Sequence, residues 1–148
     1  MIKVCIEVEA GSRERHRYHT GTLEHLGIRR VPRPYPYPYG FVLGTRTADG
    51  DSVDCYLITR ERVTPGTVVE CEPIGLLEQV ETGEIDHKVL AARPGQEIEP
   101  SPELLRELRD FIYALFAPLP DVRVQVAGIL PREAAVRHIQ ACRVEAGP

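Results

Sequence analysis

The chain has 148 residues, of which 43% are hydrophobic and 27% are charged, and these proportions are ordinary for one folded domain. A net charge of −4 argues against a nucleic-acid-binding protein, and no apolar run approaches the ~20 residues that would span a bilayer. The first residues alternate as a strand does and lack the long apolar segment of a signal peptide. We therefore expect a single cytoplasmic domain over residues 1–148, with neither a membrane nor a nucleic acid as partner.

The pattern of apolar residues predicts a chain that is mostly β, with helices kept for its last third. Turn signals rich in Gly and Pro separate the extended segments. Strands are predicted at residues 3–9, 40–47, 53–59, 67–77, 85–91 and 122–127. The four cysteines, Cys5, Cys55, Cys71 and Cys142, are widely spaced and form no CxxC pair, so we expect reduced thiols. The first three lie in strand-like apolar runs and should be buried.

Two helices are predicted after the strands. Ser101, Pro102 and Glu103 have the pattern of an N-cap, a first-turn proline and a first-turn acid. The helix that they open has one apolar stripe, formed by Leu104, Leu108, Phe111, Ile112 and Leu115. A second, shorter helix is predicted over residues 131–143. Short strands followed by segregated helices predict an α+β fold, a small barrel with helices packed beside it.

The stretch ADGDSVDCYLIT, residues 48–59, places three carboxylates directly before an apolar strand. Asp-Gly is a strong hairpin signal, which explains Asp49 and Asp51 as turn residues. It does not explain Asp54, which lies where a half-buried strand begins, because an unpaired buried charge is costly. A plain turn and an oxygen-liganded metal site both fit this pattern. The acids can converge only if residues 50–52 are irregular, because an ideal strand sends Asp51 and Asp54 to opposite faces.

The stretch RPYPYPYGF, residues 33–41, alternates proline and tyrosine and cannot be helical. It fits an extended loop whose tyrosines cover the mouth of a barrel. It fits equally a rigid segment that presents phenol hydroxyls to a ligand. Further along the chain, Asp86 and Lys88 are two residues apart in a predicted strand and therefore share one face. This pair could be a surface ion pair or a cation beside a metal-bound phosphate.

Taken together, these segments resemble the family I soluble inorganic pyrophosphatases. YPYPYGF is similar to the family's YPxxYGF/Y segment, and DGDSVD is similar to its DGDPxD signature. TPGTVVECEPIGLL, residues 64–77, is similar to the PGxVxxxRxxGxL stretch. Glu81, Asp86 and Lys88 keep the spacing of the acid, aspartate and lysine that follow it. The spaced acids and the tyrosine segment together are quite specific, so the chain is identified as a divergent member.

The resemblance implies a closed five-stranded OB-like β-barrel with two flanking helices. It implies Mg²⁺-dependent hydrolysis of pyrophosphate by a cytoplasmic homo-oligomer, commonly a hexamer in prokaryotes. It also implies roles for individual residues. These are metal ligation by Asp49, Asp54, Glu81 and Asp86, with Glu7 on the outer metal side, general-base catalysis by Asp51, and phosphate binding by Tyr39, Lys88, Arg17 and Arg30.

The sequence departs from the family pattern where the family grips the outer phosphate. A Tyr-Lys pair of the long helix is here Leu115-Phe116, and Arg17 stands where the family has Lys in an alignment uncertain by two residues. Three hypotheses therefore stay open. The first is a pyrophosphatase whose phosphate clamp is weakened, or rebuilt from Arg17, Arg30 or Arg33. The second is a divergent paralogue with weak or altered activity that binds metal and another phosphate compound, and the third is a nucleic-acid-binding barrel.

Overall fold

The strands and helices of this protein are seen in a computed structural model that describes residues 1–144. The described residues contain nine strands and two helices. The strands are β1 Ile2–Val8, β2 Glu14–Tyr18, β3 His25–Arg30, β4 Tyr39–Val42, β5 Asp54–Leu57, β6 Val68–Glu81, β7 Glu84–Ile85, β8 Lys88–Ala92 and β9 Val124–Pro131. The helices are α1 Pro102–Phe116 and α2 Arg132–Ala141.

Five of the strands form a closed ring. Strand β1 pairs antiparallel with β4 on one side and with β6 on the other. The ring continues from β4 to an antiparallel β5, then to a parallel β8, which returns antiparallel to β6. Strands β7 and β9 extend the sheet from β6. The predicted α+β class, with five strands in a closed arrangement and two helices, is confirmed.

One glycine is required where β1 and β4 meet. A Cβ atom built on Gly40 would lie 1.8 Å from the backbone oxygen of Cys5, which is far inside any non-bonded contact distance. Only a residue without a side chain allows this close approach of the two strands. The glycine of the tyrosine segment therefore serves the closure of the ring.

The hairpin of β2 and β3 was not predicted from the sequence. Its two strands pair antiparallel in a separate sheet, with Arg17 opposite Gly27 and a register shift just after Arg17. Most of its side chains are exposed, so the hairpin lacks the apolar alternation from which half-buried strands are recognised. The predicted strands are present, except that the segment predicted as one strand over residues 85–91 is divided between β7 and β8. Strand β6 continues to Glu81, four residues beyond its predicted end.

The helices begin where the sequence predicted. The side chain of Ser101 accepts a hydrogen bond from the backbone N–H of Leu104 and caps α1. Leu104, Leu108, Phe111 and Ile112 are buried, which confirms the apolar stripe of α1. Ala135 and Ile139 anchor α2. All four cysteines are free thiols, and those within the described strands are buried.

The buried side chains form two clusters. One cluster consists of side chains from the ring strands and from α2. The other contains the tyrosines of the proline-rich segment together with the buried stripe of α1. Among residues 1–144, neither helix has the length and hydropathy needed to cross a bilayer.

Candidate active site

One open cavity of about 1010 Å³ brings together four parts of the fold. They are the acidic turn before β5, the segment around β7 and β8, the β2–β3 hairpin, and the end of α1 with the loop after it. All ten site residues predicted from the sequence line this cavity: Glu7, Arg17, Arg30, Tyr39, Asp49, Asp51, Asp54, Glu81, Asp86 and Lys88. Arg33, which was also considered as a phosphate ligand, is absent from the described residues that line it.

The acidic turn before β5 has the irregularity that convergence of its carboxylates requires. Gly50 has a φ of +91°, and its N–H donates to the carbonyl of Thr47 at 3.0 Å. The Asp49 carboxylate accepts hydrogen bonds from the Thr47 hydroxyl and from the backbone N–H of Asp51. These bonds, that of Thr47 first, hold the pKa of Asp49 below its ordinary value. Asp49 and Asp51 are thus fixed at the rim of the cavity just before Asp54.

Lys88 lies between two of the predicted metal ligands. Its Nζ donates to Asp54 Oδ2 at 2.6 Å and to Asp86 Oδ2 at 3.0 Å. Burial disfavours the charged ammonium, but the negative charges of Asp54 and Asp86 outweigh it, so the pKa of Lys88 lies well above its ordinary value. The carboxylate that a plain turn did not explain, Asp54, has a cationic partner. The predicted contact of Asp86 with Lys88 is present, although Asp86 precedes β8 rather than lying within a strand.

Glu81 and Asp86 form a second close pair of acids. A hydrogen bond that the protonated Glu81 carboxyl donates to Asp86 is the main cause that raises the pKa of Glu81 to about 7, and burial adds to it. The negative charge of Asp86 also disfavours the ionised form of Glu81, because two like charges at short range repel each other. A cation at this position would favour the charged form of both acids.

Arg15 is a site residue that sequence reasoning missed. Its Nη2 lies 3.3 Å from Glu7 Oε1, and its guanidinium carbon lies 5.5 Å from the centre of the Tyr39 ring. Arg15 and Arg17 are two residues apart in β2, and both line the cavity. The signal was the alternation of arginines in RERHR, which became readable only with β2 recognised as a strand.

The three tyrosines of the proline-rich segment have different surroundings. Tyr37 donates its hydroxyl to Glu107 and so ties the segment to α1. Tyr35 and Tyr39 are buried, pack against each other and line the cavity. Burial, reinforced by Asp54, raises the pKa of Tyr39 well above its ordinary value, so its phenol stays neutral and can donate a hydrogen bond. The tyrosines therefore cover one end of the ring, and the binding of a ligand by Tyr35 or Tyr39 stays a prediction.

Two buried polar atoms in the cavity wall are unpaired. Arg15 Nε and Gln79 Oε1 have no hydrogen-bond partner among residues 1–144. One is a cationic donor suited to an anion, and the other is an oxygen acceptor suited to a cation or a donor. No three His, Cys, Asp or Glu side chains of the described chain stand around a common metal position, since Lys88 lies between Asp54 and Asp86. The carboxylate-rich donor set nonetheless fits a hard divalent cation in its chemistry.

The end of the cavity at α1 is apolar. We call it the apolar wall and define it by Ile112, Leu115, Phe116, Leu119 and Val122, all of which line the cavity. Helix α1, described along its whole length, has no basic residue in its last turn. Leu115 and Phe116, which stand where the family has a hydroxyl and an ammonium, therefore line the cavity with hydrocarbon side chains. The sequence had assigned Leu115 to the core stripe, and it packs partly against that core as well.

A family model described as inorganic pyrophosphatase matches residues 4–146. The chain belongs to the inorganic pyrophosphatase family. A relative from Sulfolobus acidocaldarius is 30% identical over 112 residues, which cover 74% of this chain and 64% of that protein. A relative from Aquifex pyrophilus is 39% identical over 83 residues, 49% of this chain and 46% of that protein. Both are named inorganic pyrophosphatase.

Solved structures agree with this membership. The inorganic pyrophosphatase of Coxiella burnetii is 26% identical with a TM-score of 0.85, over 95% of this chain and 91% of that one. The enzyme of Thermus thermophilus is 27% identical with a TM-score of 0.84, over 95% of this chain and 87% of that one. The matched segments span between 46% and 64% of the length of the curated relatives. The family implies a divalent metal cofactor.

Proposed function

We propose that this protein hydrolyses inorganic pyrophosphate to two phosphates with Mg²⁺ as cofactor. The observation that carries the proposal is the arrangement of charge in one cavity. Seven carboxylates line it together with Lys88 and four arginines, namely Arg15, Arg17, Arg29 and Arg30. A polyanion accompanied by divalent cations needs both kinds of group, because the carboxylates bind the cations and the basic side chains bind the phosphate oxygens.

The carboxylates fit the role of metal ligands. We assign this role to Asp49, Asp54, Glu81 and Asp86, with Glu7 at the outer side. Mg²⁺ is the proposed ion because it prefers oxygen ligands and is held by a few carboxylates together with substrate phosphate. When bound, such ions stabilise the charge of the transferring phosphoryl group and lower the pKa of the attacking water. Asp54 and Asp86 already share one positive charge, the ammonium of Lys88.

Asp51 fits the role of general base. The turn around Gly50 fixes its backbone, because its N–H donates to Asp49 and its carbonyl accepts from Thr47. Its carboxylate is exposed at the cavity rim, where it can accept the proton of the attacking water. Proton transfer to a positioned carboxylate requires this combination of a fixed backbone and access to water.

The basic residues and Tyr39 fit the role of phosphate ligands. Lys88 and Tyr39 adjoin the acids, with the Lys88 ammonium 5.8 Å from the centre of the Tyr39 ring. Arg15 adds a guanidinium whose Nε is unpaired among residues 1–144 and can bind a phosphate oxygen in a fixed direction. Arg17 and Arg30 lie on the exposed hairpin and complete the basic side of the cavity. The arginines would thus replace the clamp that the end of α1 lacks.

The wider setting follows the family. We propose that residues 1–148 act as one domain of a cytoplasmic homo-oligomer, with a hexamer as the expected state. Exposed apolar side chains on β3, Leu26 at 61% and Ile28 at 54%, support burial against another copy. Light scattering on the purified chain should give a mass several times that of one chain. A monomer at micromolar concentration would contradict the oligomer.

The activity is tested by phosphate release from pyrophosphate with Mg²⁺, with ATP and a simple phosphate monoester in parallel. We expect phosphate release from pyrophosphate that stops when a chelator removes the metal. Absence of release, combined with salt-sensitive binding of single-stranded nucleic acid, would contradict the proposal and support a binding barrel instead.

A further inference from the structure

The apolar wall has no counterpart in the recognition of pyrophosphate. Both phosphates of that substrate carry negative charge and need donors, whereas the wall consists of hydrocarbon side chains and α1 has no basic residue in its last turn. Leu119 is 46% exposed and faces the same cavity as the acids. A cavity of about 1010 Å³ also leaves space beyond what two phosphates and their cations fill.

The wall adjoins the acidic side of the cavity through backbone hydrogen bonds. The N–H of Thr82 donates to the carbonyl of Arg123 at 2.6 Å, and the N–H of Arg123 donates to the Thr82 hydroxyl at 3.2 Å. The loop that follows α1 is thereby joined to the turn directly after Glu81. The N–H of Leu119 donates to the carbonyl of Phe116 at 2.9 Å and keeps both side chains near the helix end. A substituent on the outer phosphate of a bound diphosphate would therefore meet this wall.

We propose that the protein also hydrolyses alkyl diphosphates, with the alkyl group bound against the apolar wall. An esterified phosphate carries one negative charge fewer than a free terminal phosphate, so it needs fewer donors. Its alkyl chain covers Leu115, Phe116 and Leu119, which would otherwise face water. The wall has no side-chain hydrogen-bonding group that could recognise a nucleobase, which is why the inference commits to an alkyl substituent.

The reaction uses the same acids as the proposed pyrophosphatase activity and rests on that function. Water attacks the unsubstituted terminal phosphorus, and its proton passes to Asp51. The bond from that phosphorus to the bridging oxygen breaks, and the alkyl phosphate leaves with the electron pair. The balance is R–O–P₂O₆³⁻ + H₂O → R–O–PO₃²⁻ + HPO₄²⁻ + H⁺.

A series of n-alkyl diphosphates from methyl to pentyl tests the proposal. With Mg²⁺, kcat/KM should rise by about threefold to fourfold for each added methylene, as expected for burial of hydrocarbon against a protein surface. Leu119→Ser, an exposed position whose substitution spares the core, should reduce this rise. Val68→Ser, at an exposed apolar position of β6 that is absent from the cavity lining, should leave the rise unchanged.

The outcomes separate this inference from the proposed function. Hydrolysis of pyrophosphate with a flat or falling response to chain length would overturn the alkyl-binding role alone, as would an undiminished rise in Leu119→Ser. Hydrolysis of the alkyl series without hydrolysis of pyrophosphate would support the wall and overturn the choice of substrate above. No phosphate release from any of these compounds would overturn both.

Discussion

The two ends of the cavity differ in how their charges are balanced. At the acidic end, Asp54 and Asp86 share the ammonium of Lys88, and Glu81 lies beside Asp86 with a raised pKa. Two of its acids thus have a cationic partner within the described residues, and the others lie around them. At the α1 end the lining is hydrocarbon, and its helix supplies no cation in its last turn. We therefore propose that water activation depends on the acidic end, whereas the preference among diphosphates depends on the apolar wall.

The acidic end should be the more sensitive to substitution. Asp54→Asn removes a proposed metal ligand and one of the two acids that hold Lys88, so hydrolysis should fall by more than the ~10⁴-fold upper range for loss of a general base. Steady-state phosphate release measures the loss. Asp110→Asn, on the exposed face of α1, is the matched control and should keep wild-type rates. Wild-type activity in Asp54→Asn would remove the acidic end from the mechanism.

Asp51→Asn separates water activation from metal binding within that end. The change keeps the shape of the turn, because Asp49 and Thr47 bond to the backbone of residue 51 and not to its side chain. We expect kcat to fall about 10²–10⁴-fold. Titration calorimetry with Mg²⁺ should give nearly unchanged affinity. If affinity falls together with kcat, Asp51 is a metal ligand rather than a base.

The apolar wall is tested by giving α1 a polar clamp. Leu115→Tyr combined with Phe116→Lys adds a hydroxyl and an ammonium facing the cavity. A hydrogen bond to a charged group contributes about 1.5–3 kcal/mol, so kcat/KM for pyrophosphate should rise by roughly tenfold to a few hundredfold. Ala117→Lys is the matched control, because it adds a cation at the same helix end outside the cavity lining.

Thermal unfolding must accompany that measurement, because Leu115 and Phe116 also pack against the core. A stable double variant with no gain would mean that side chains at the end of α1 do not reach the outer phosphate. If Ala117→Lys raises kcat/KM as much as the double variant does, the effect comes from the added positive charge and not from a hydrogen bond to the outer phosphate.

The smallest expected effect concerns the placement of the wall. Ser101→Ala removes the hydroxyl that accepts from the Leu104 N–H, and should destabilise the protein by about 1 kcal/mol. Ser101→Asp retains an acceptor and should keep most of the stability. Denaturant unfolding compares the two variants. If Ser101→Ala loses no stability, the cap contributes nothing and the wall is held by packing alone.

The acidic end could be predicted from the sequence because its residues are close together along the chain. Asp49, Asp51 and Asp54 lie in one turn, and Asp86 and Lys88 lie two residues apart, so the spacing of the motif determines their contacts. The helix stripe of α1 was predictable for the same reason, since 3.6-residue periodicity is a local property.

The basic side could not be predicted in the same way. Strands β2 and β3 are largely exposed and charged, so no apolar pattern indicates them. Arg15 became visible only when the hairpin placed it against Glu7 and the ring of Tyr39. The second role of Leu115 also depends on tertiary structure, because a helical stripe indicates burial but not whether it lies beside a cavity.

One crystallographic measurement tests the division of the cavity most directly. Crystals of the protein with Mn²⁺ and imidodiphosphate, a hydrolysis-resistant analogue, would locate the metal ions by anomalous scattering. We expect peaks in contact with the carboxylates of Asp49, Asp54 and Asp86, and an outer phosphate bound by arginines of the β2–β3 hairpin. Metal peaks away from these acids, or an outer phosphate packed against Leu115 and Phe116, would contradict the account.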